Sequence, residues 1–207
     1  MFYQPDARDR TALPHDPFKA IVAPRPIGWI STVSAAGKVN LAPYSFFNAV
    51  SANPPMVLFS SEGAKHSAGN AEATGEFVCS LATYALKDQM NASSAPLPEG
   101  ESEFAFTGLT PAASRFVKPP RVADSPAALE CKVIQVVRPV RLDGATADNV
   151  IVIGQVVGIH IDDAYIVDGR FDLIKAGTIT RAGYMDYVRA DAIFAMARPA
   201  GGGGTQA

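Results

Sequence analysis

The chain has 207 residues, with 18 Lys and Arg against 20 Asp and Glu and a formal net charge of −2. At 48% hydrophobic and 18% charged residues, it has the apolar material for a core and too little net charge to stay extended. It carries no electrostatic footprint for nucleic acid or an anionic membrane, so any anion it binds must be caught locally.

The first stretch, to about Ala20, is polar and punctuated by proline, an irregular arm without the basic and apolar regions of a signal peptide. No run approaches the roughly 20 apolar residues of a membrane span, and the expected location is the cytoplasm. Two strand-like runs follow, "IGWISTVS" and "KVNLAPYSFFNAVS", joined by the tight-turn signal "SAAGK". A third strand, "MVLFSS", leads to a helix in "AKHSAGNAEATGEF" that ends at Gly75. After the strand "EFVCSLAT", Leu81, Leu86 and Met90 recur near helical spacing in "ATYALKDQMNASS", and "APLPEGESE" is a loop. Two long strands come last, "ALECKVIQVVRPVRL" and "NVIVIGQVVGIHID". Short strands with interspersed helices and no regular βαβ alternation predict a mainly β, antiparallel barrel. It forms one domain over residues 1–199, followed by a flexible Gly-rich tail at 200–207.

Several chemistries have no motif here. No G-x-G-x-x-G follows a strand, and no P-loop, H-E-x-x-H, C-x-x-C or G-x-S-x-G is present. His15, His66 and His160 lie far apart, so no zinc site is expected. Cys79 and Cys131 sit in apolar runs and are expected to be buried thiols.

The second strand-like run is unusual. Ser31, Thr32, Ser34, Asn40 and Ser45 supply hydrogen-bonding groups with little bulk, so a flat ligand can approach the backbone. Pro43 removes a ladder donor, which suits an edge or a bulge. Trp29, Tyr44, Phe46 and Phe47 have the size to wall a planar ring. The same residues also fit a plain core with a polar strand surface, and both readings stand. Downstream, Lys65, His66 and Ser67 open a helix, where free amides and the dipole favour an anion. A solvated lysine and a serine N-cap is the plainer alternative. A flat-ring surface followed closely by a phosphate-type site suits one ligand, an aromatic ring system carrying a phosphate.

With "PRPIGWISTVSAAGKVNLAPYSFFNAVSANPPMVLFSS", "KHSAGN" and "GEFVCSLAT" in this order, the chain resembles the flavin reductase-like family of FMN-binding split barrels. It is most similar to the flavoredoxin-like branch. "ECKVIQVV", "VIGQVVGIHIDD" and "RAGYMDYVRADAIFAMARP" extend the resemblance over roughly Phe18 to Pro199. The resemblance implies a six-stranded Greek-key split barrel and a homodimer with FMN near its interface. It implies that the isoalloxazine contacts the Trp29–Ser34 strand, with Trp29, Ser31, Thr32 and Ser34, and the Asn40–Ser45 strand, with Asn40, Ala42 and Ser45, and Phe46 is a further cofactor-binding candidate. Ser45, Asn48, Lys65, His66 and Ser67 are then the candidates for the ribityl and phosphate end. His160 is the candidate catalytic residue, since related reductases carry a pocket histidine near the nicotinamide. Tyr184 and Tyr187 either line the pocket or pack the barrel. The implied activity is NAD(P)H-dependent flavin reduction, with the electron acceptor unspecified. The alternative is a flavoredoxin-like electron carrier holding FMN tightly without direct NAD(P)H turnover. An oxidase acting on a phosphorylated amine would want a basic cluster, and Arg138 with Arg141 is too thin a one.

Overall fold

In the computed structural model, which describes residues 1–63, 65–98, 101–197 and 199, the first hairpin forms where the turn signal places it. Strand β1 (Gly28–Val33) pairs antiparallel with β2 (Val39–Tyr44), from Gly28 opposite Tyr44 to Val33 opposite Val39. Gly37 closes the turn at φ 80°, a conformation glycine adopts at little cost, and the Ser34 hydroxyl accepts the Lys38 amide at 3.1 Å. The Gly-rich tail expected at 200–207 lies outside the described residues.

The predicted second strand is in fact two. The chain bends at Ser45 and Phe46 and re-enters the sheet as β3 (Phe47–Ala52), paired with β4 (Pro55–Glu62). With β5 (Glu76–Leu81), β6 (Ala127–Val137) and β7 (Asn149–Ile161), these form one antiparallel sheet of order β2-β1-β5-β6-β7-β4-β3. Consecutive strands β2 and β3 therefore stand at opposite ends of the order, which requires the sheet to curl until its ends meet. The corner shows that meeting. The Phe46 carbonyl accepts the Ser60 amide at 2.8 Å. The Phe47 ring lies over Gly28, where a Cβ would come within 2.5 Å of it. Counted as one bent strand, β2 and β3 bring the sheet to the six strands expected.

Pro43 sits where its missing donor costs nothing. Leu41, in the same phase of the edge strand, sends its amide to Glu103 Oε2 at 3.1 Å, so this side of β2 faces away from the ladder.

Among the described residues, four short α-helices decorate the sheet. Helix α1 is Phe18–Ile21, within the N-terminal arm. Helix α2 (His66–Thr74) ends, as its glycine predicts, at Gly75 with φ 73°. Helix α3 (Lys87–Ala92) occupies only part of its predicted stretch. Helix α4 (Glu103–Thr107) was not predicted, because five residues after a Pro- and Gly-rich loop give no periodic signal.

Strand β1 is buried on both faces. Ile30 joins Val57, Phe59, Phe77, Cys131 and Val152 inside the curl, where Phe59 meets Phe77 edge to face at 5.3 Å. Trp29, on the other face, packs with Leu41, Met90 of α3 and Phe104 of α4. Both thiols are buried and free, and burial pushes Cys79 up to about 12 and Cys131 upward as well. A small sheet of Arg25–Pro26, Ile179–Arg181 and Tyr187–Arg189 ties the chain's two ends together. Among the described residues, no helix is long and apolar enough to cross a membrane.

Gly154 on β7 tests the packing of this core. A Cβ there would stand 2.4 Å from the Phe77 ring and 3.1 Å from Cys131 Cβ, and both neighbours are fully buried. Gly154→Ala is expected to cost about 1–3 kcal/mol by overpacking, measured as a lower urea midpoint at unchanged slope.

Candidate active site

Successive side chains of a strand point to opposite faces, and this alternation sorts the candidate residues. Asn40, Ala42 and Tyr44 of β2 face a cleft of about 870 Å³, which the hairpin turn at Ser34 and Lys38, the start of α2, the segment from Ser93 to Pro98, and Glu101 and Glu103 also border. At its floor, the Asn40 side-chain amide donates to Ser67 Oγ at 2.8 Å, and both residues are more than nine-tenths buried. Asn70 lines the same wall and donates to Thr32 Oγ1 at 3.2 Å.

The N-cap of α2 is Lys65, in extended conformation at φ −69° and ψ 168°. Lysine has no acceptor, and no side chain caps the helix, so the first-turn amides lack the oxygen that Ser, Asp or Asn normally supplies there. Lys65 and His66 stand exposed beside those amides, and Lys38 lines the same cleft. Positive charge, free amides and a fixed hydroxyl thus converge at one end. Along the other walls lie Ala42, Tyr44, Pro96 and Leu97, and the carboxylates Glu101 and Glu103 also border the cleft, Glu103 already accepting the Leu41 amide. The arrangement suits an elongated ligand with an apolar body and an anionic terminus.

Of the candidates, Ser34, Asn40, Ala42, Lys65, His66 and Ser67 line this cleft together. Thr32 lies beneath it, fully buried under Asn70. Trp29 and Ser31 have no exposed surface and face the other way. Trp29 Nε1 donates to Ser93 Oγ at 2.9 Å, and the Ser31 hydroxyl donates to the Pro120 carbonyl. They occupy the odd phase of β1, which α3, α4 and the loop carrying Pro120 cover, so the aromatic side chain on the cleft is Tyr44. Phe46, at the corner, lies under Lys19 Nζ and the Arg25 guanidinium at 5.9 and 5.8 Å. Asn48 is exposed on β3, where its Oδ1 accepts the Ala49 amide at 2.8 Å. Ser45, Tyr184 and Tyr187 line a second cavity. Among the lining residues outside the sequence candidates are Asn70 and the segment from Ser93 to Pro98. Asn70 follows His66 by four residues and so shares its helix face, a legible spacing. The segment from Ser93 to Pro98 has no such periodicity.

His160 lies away from the cleft. Its Nε2 is 2.5 Å from Oε1 of Glu130, a fully buried carboxylate that also accepts the amides of Arg115 at 2.8 Å and Phe116 at 2.6 Å. Burial alone pushes this carboxyl upward. The hydrogen bonds from His160 and the two amides together outweigh it and hold Glu130 below the ordinary carboxylate range. The pair anchors the loop at Arg115 and Phe116 to the long strands. A glutamate inside the apolar run "ALECKV" was the signal for it.

A family model for the flavin reductase like domain matches residues 22–172. The chain belongs to the flavin reductase-like family. It is 36% identical over 183 residues to an uncharacterised protein of Halalkalibacterium halodurans, covering 86% of this chain and 87% of that one. Its structure superposes on nitrilotriacetate monooxygenase component B from Bacillus cereus with a TM-score of 0.85 at 26% identity, over 95% of this chain and 98% of that one. It superposes on flavoredoxin of Desulfovibrio vulgaris with a TM-score of 0.75 at 23% identity, over 86% and 93% of the two chains. The curled sheet is the split barrel of flavin reductase-like proteins.

The Glu130–His160 pair of this flavin reductase-like barrel carries a pH signature. A carboxyl held down in the folded state stabilises fully above its unfolded value of about 4.3, and that contribution is lost as pH falls through the folded value. Glu130→Gln is expected to lower stability at neutral pH by about 2 kcal/mol and to flatten the acid limb of the stability curve. Urea titrations at a series of pH values check both, and a parallel acid limb in the two proteins assigns the acid sensitivity to other groups.

Proposed function

We propose that the cleft between β2 and α2 binds FMN and that the chain is an NAD(P)H-dependent flavin oxidoreductase, acting as a cytoplasmic homodimer. The observation that carries this reading is the uncapped first turn of α2, flanked by Lys65, His66 and Ser67, at one end of a cleft in a flavin reductase-like barrel. The donor set fits a phosphate. Lys65 and the first-turn amides supply positive ends without a competing side-chain acceptor. Ser67 Oγ accepts from Asn40, which leaves its own proton free for an anion. Ala42 leaves room over the backbone of β2, and Tyr44, Pro96 and Leu97 shield the body of the ligand from water.

When bound, the flavin supplies the redox chemistry, taking a hydride and passing electrons onward. The work of this chain's residues is to hold, orient and desolvate. No side chain of the cleft is required as a general acid or base, and His160, held by buried Glu130, serves the fold. For the homodimer, the exposed apolar side chains Val157, Ile159 and Ile161, in one phase at the end of β7, offer a face.

Purified protein is expected to be yellow or to take up added FMN, and anaerobic NADH or NADPH is expected to bleach its visible band. A colourless protein that takes up no FMN ends the flavin reading. Yellow protein inert to both nicotinamides is instead an electron carrier with tightly held flavin, the reading that the flavoredoxin-like fold also accommodates.

The phosphate end has its own test. Replacing both Lys65 and Ser67 with Ala is expected to weaken FMN by about 10-fold or more, from lost charge-assisted hydrogen bonds of about 1.5–3 kcal/mol each. Riboflavin, which lacks the phosphate, is expected to lose less than about threefold in the same equilibrium titration. Equal losses for the two flavins remove the assignment.

A further inference from the structure

On the other side of β2, Pro43 and Ser45 face a second cavity, of about 370 Å³. Its charged lining residues are Lys19, Arg25 and Arg181, and no Asp or Glu lines it. Among the described residues, none of the three cations forms an ion pair with a carboxylate. The basic cluster missing from the Arg138–Arg141 stretch is thus assembled here, from α1, the strand Arg25–Pro26 and the strand Ile179–Arg181.

Arg25 is only 7% exposed, so its charge is largely removed from water. It donates from Nη1 to the carbonyls of Lys19 and Val22 and from Nη2 to that of Ala182 at 2.9 Å, and its buried Nε has no partner. All its partners are neutral. Directly opposite it in the antiparallel register stands Arg181, a like-charge pairing that is unfavourable by itself. Burial lowers the Arg25 pKa, and the Arg181 charge lowers it further. The remaining contacts of these cations bring no countercharge. Arg181 lies 4.4 Å over the Tyr187 ring and donates to the Tyr184 carbonyl at 2.5 Å, and Lys19 and Arg25 stand near Phe46.

The walls are held in place before any ligand arrives. A Cβ on Gly183 would come 2.4 Å from Ala20 Cβ, so the turn after Arg181 is seated flush against α1. The turn is closed by the Asp186 amide on the Gly183 carbonyl at 2.9 Å and the Ala182 amide on the Asp186 carbonyl at 3.0 Å. Holding like charges together at such a rigid junction costs free energy that an anion between them repays.

We propose that this cavity is an anion site, distinct from the cleft on the other face of β2, for a small ligand with a carboxylate or phosphate on an apolar body. Lys19, Arg25 and Arg181 hold the oxyanion. Ile27, Met90 and the Tyr184 and Tyr187 rings supply the apolar contact. A free organic acid and the phosphate end of a nucleotide share this chemistry, and neither depends on what the first cleft holds.

Calorimetric titration with benzoate and, separately, inorganic pyrophosphate distinguishes the two sources. At least one is expected to bind the wild type. The double variant Lys19→Gln/Arg181→Gln is expected to lose about tenfold or more in that affinity, with FMN uptake changed less than about twofold. Binding of benzoate alone identifies an organic acid, and binding of pyrophosphate alone a phosphate ligand. Because Arg181 also braces the turn, Lys19→Gln alone, at an exposed position, and Arg181→Lys serve as folded controls. The first is expected to lose about threefold and the second to retain binding, since charge is kept. Failure of both probes to bind the wild type, or unchanged affinity in the double variant, overturns the proposal.

Discussion

A chain that leaves one edge of a sheet at Tyr44 and enters the opposite edge at Phe47 has only Ser45 and Phe46 in which to turn. That corner closes the curl. It puts the Phe47 ring over Gly28, where no other residue would let the two ends approach as closely, and it leaves β2 as a free margin along the seam. Both candidate sites lie on that margin. Inward residues Asn40, Ala42 and Tyr44 floor one cleft, outward residues Pro43 and Ser45 border another cavity, and α2 stands across the first.

Charge follows the same local logic. A net charge of −2 suggests nothing about anions, yet many of the carboxylates are already engaged. Glu130 is held by His160, Glu76 by Lys132, Glu72 by Arg138, and Glu103 by the Leu41 amide. Among the described residues, Lys65 at the start of α2 and the Lys19–Arg25–Arg181 group form no such ion pair. Field strength inside a small concave site is set by such pairings and by burial, not by the composition of the whole chain.

Much of this was legible in the residues, and the illegible parts have identifiable causes. Turn chemistry at Gly37 and Gly75 marked a hairpin and a helix end, because positive φ leaves a glycine signature. The grouping of Lys65, His66 and Ser67 was visible because they are adjacent in sequence. Trp29 faces away from the cleft, which the residues do not foretell, because alternation tells which residues share a face but not which face a cleft opens on. Covering by α3 and α4 decides that, and α4 is too short to announce itself. Lys19, Arg25 and Arg181 come from the two ends of the chain, and only the small sheet joining those ends brings them into register.

Pro43 and the Glu103–Leu41 bond have a consequence for how the protein behaves among its copies. A margin of unpaired amides is a template on which another chain's strand can add, the first step towards fibrous aggregation. Along β2 the outward amide at Leu41 is occupied by Glu103, and the one at Pro43 does not exist. The seam can therefore stay open to small molecules while offering a neighbouring strand few places to bond.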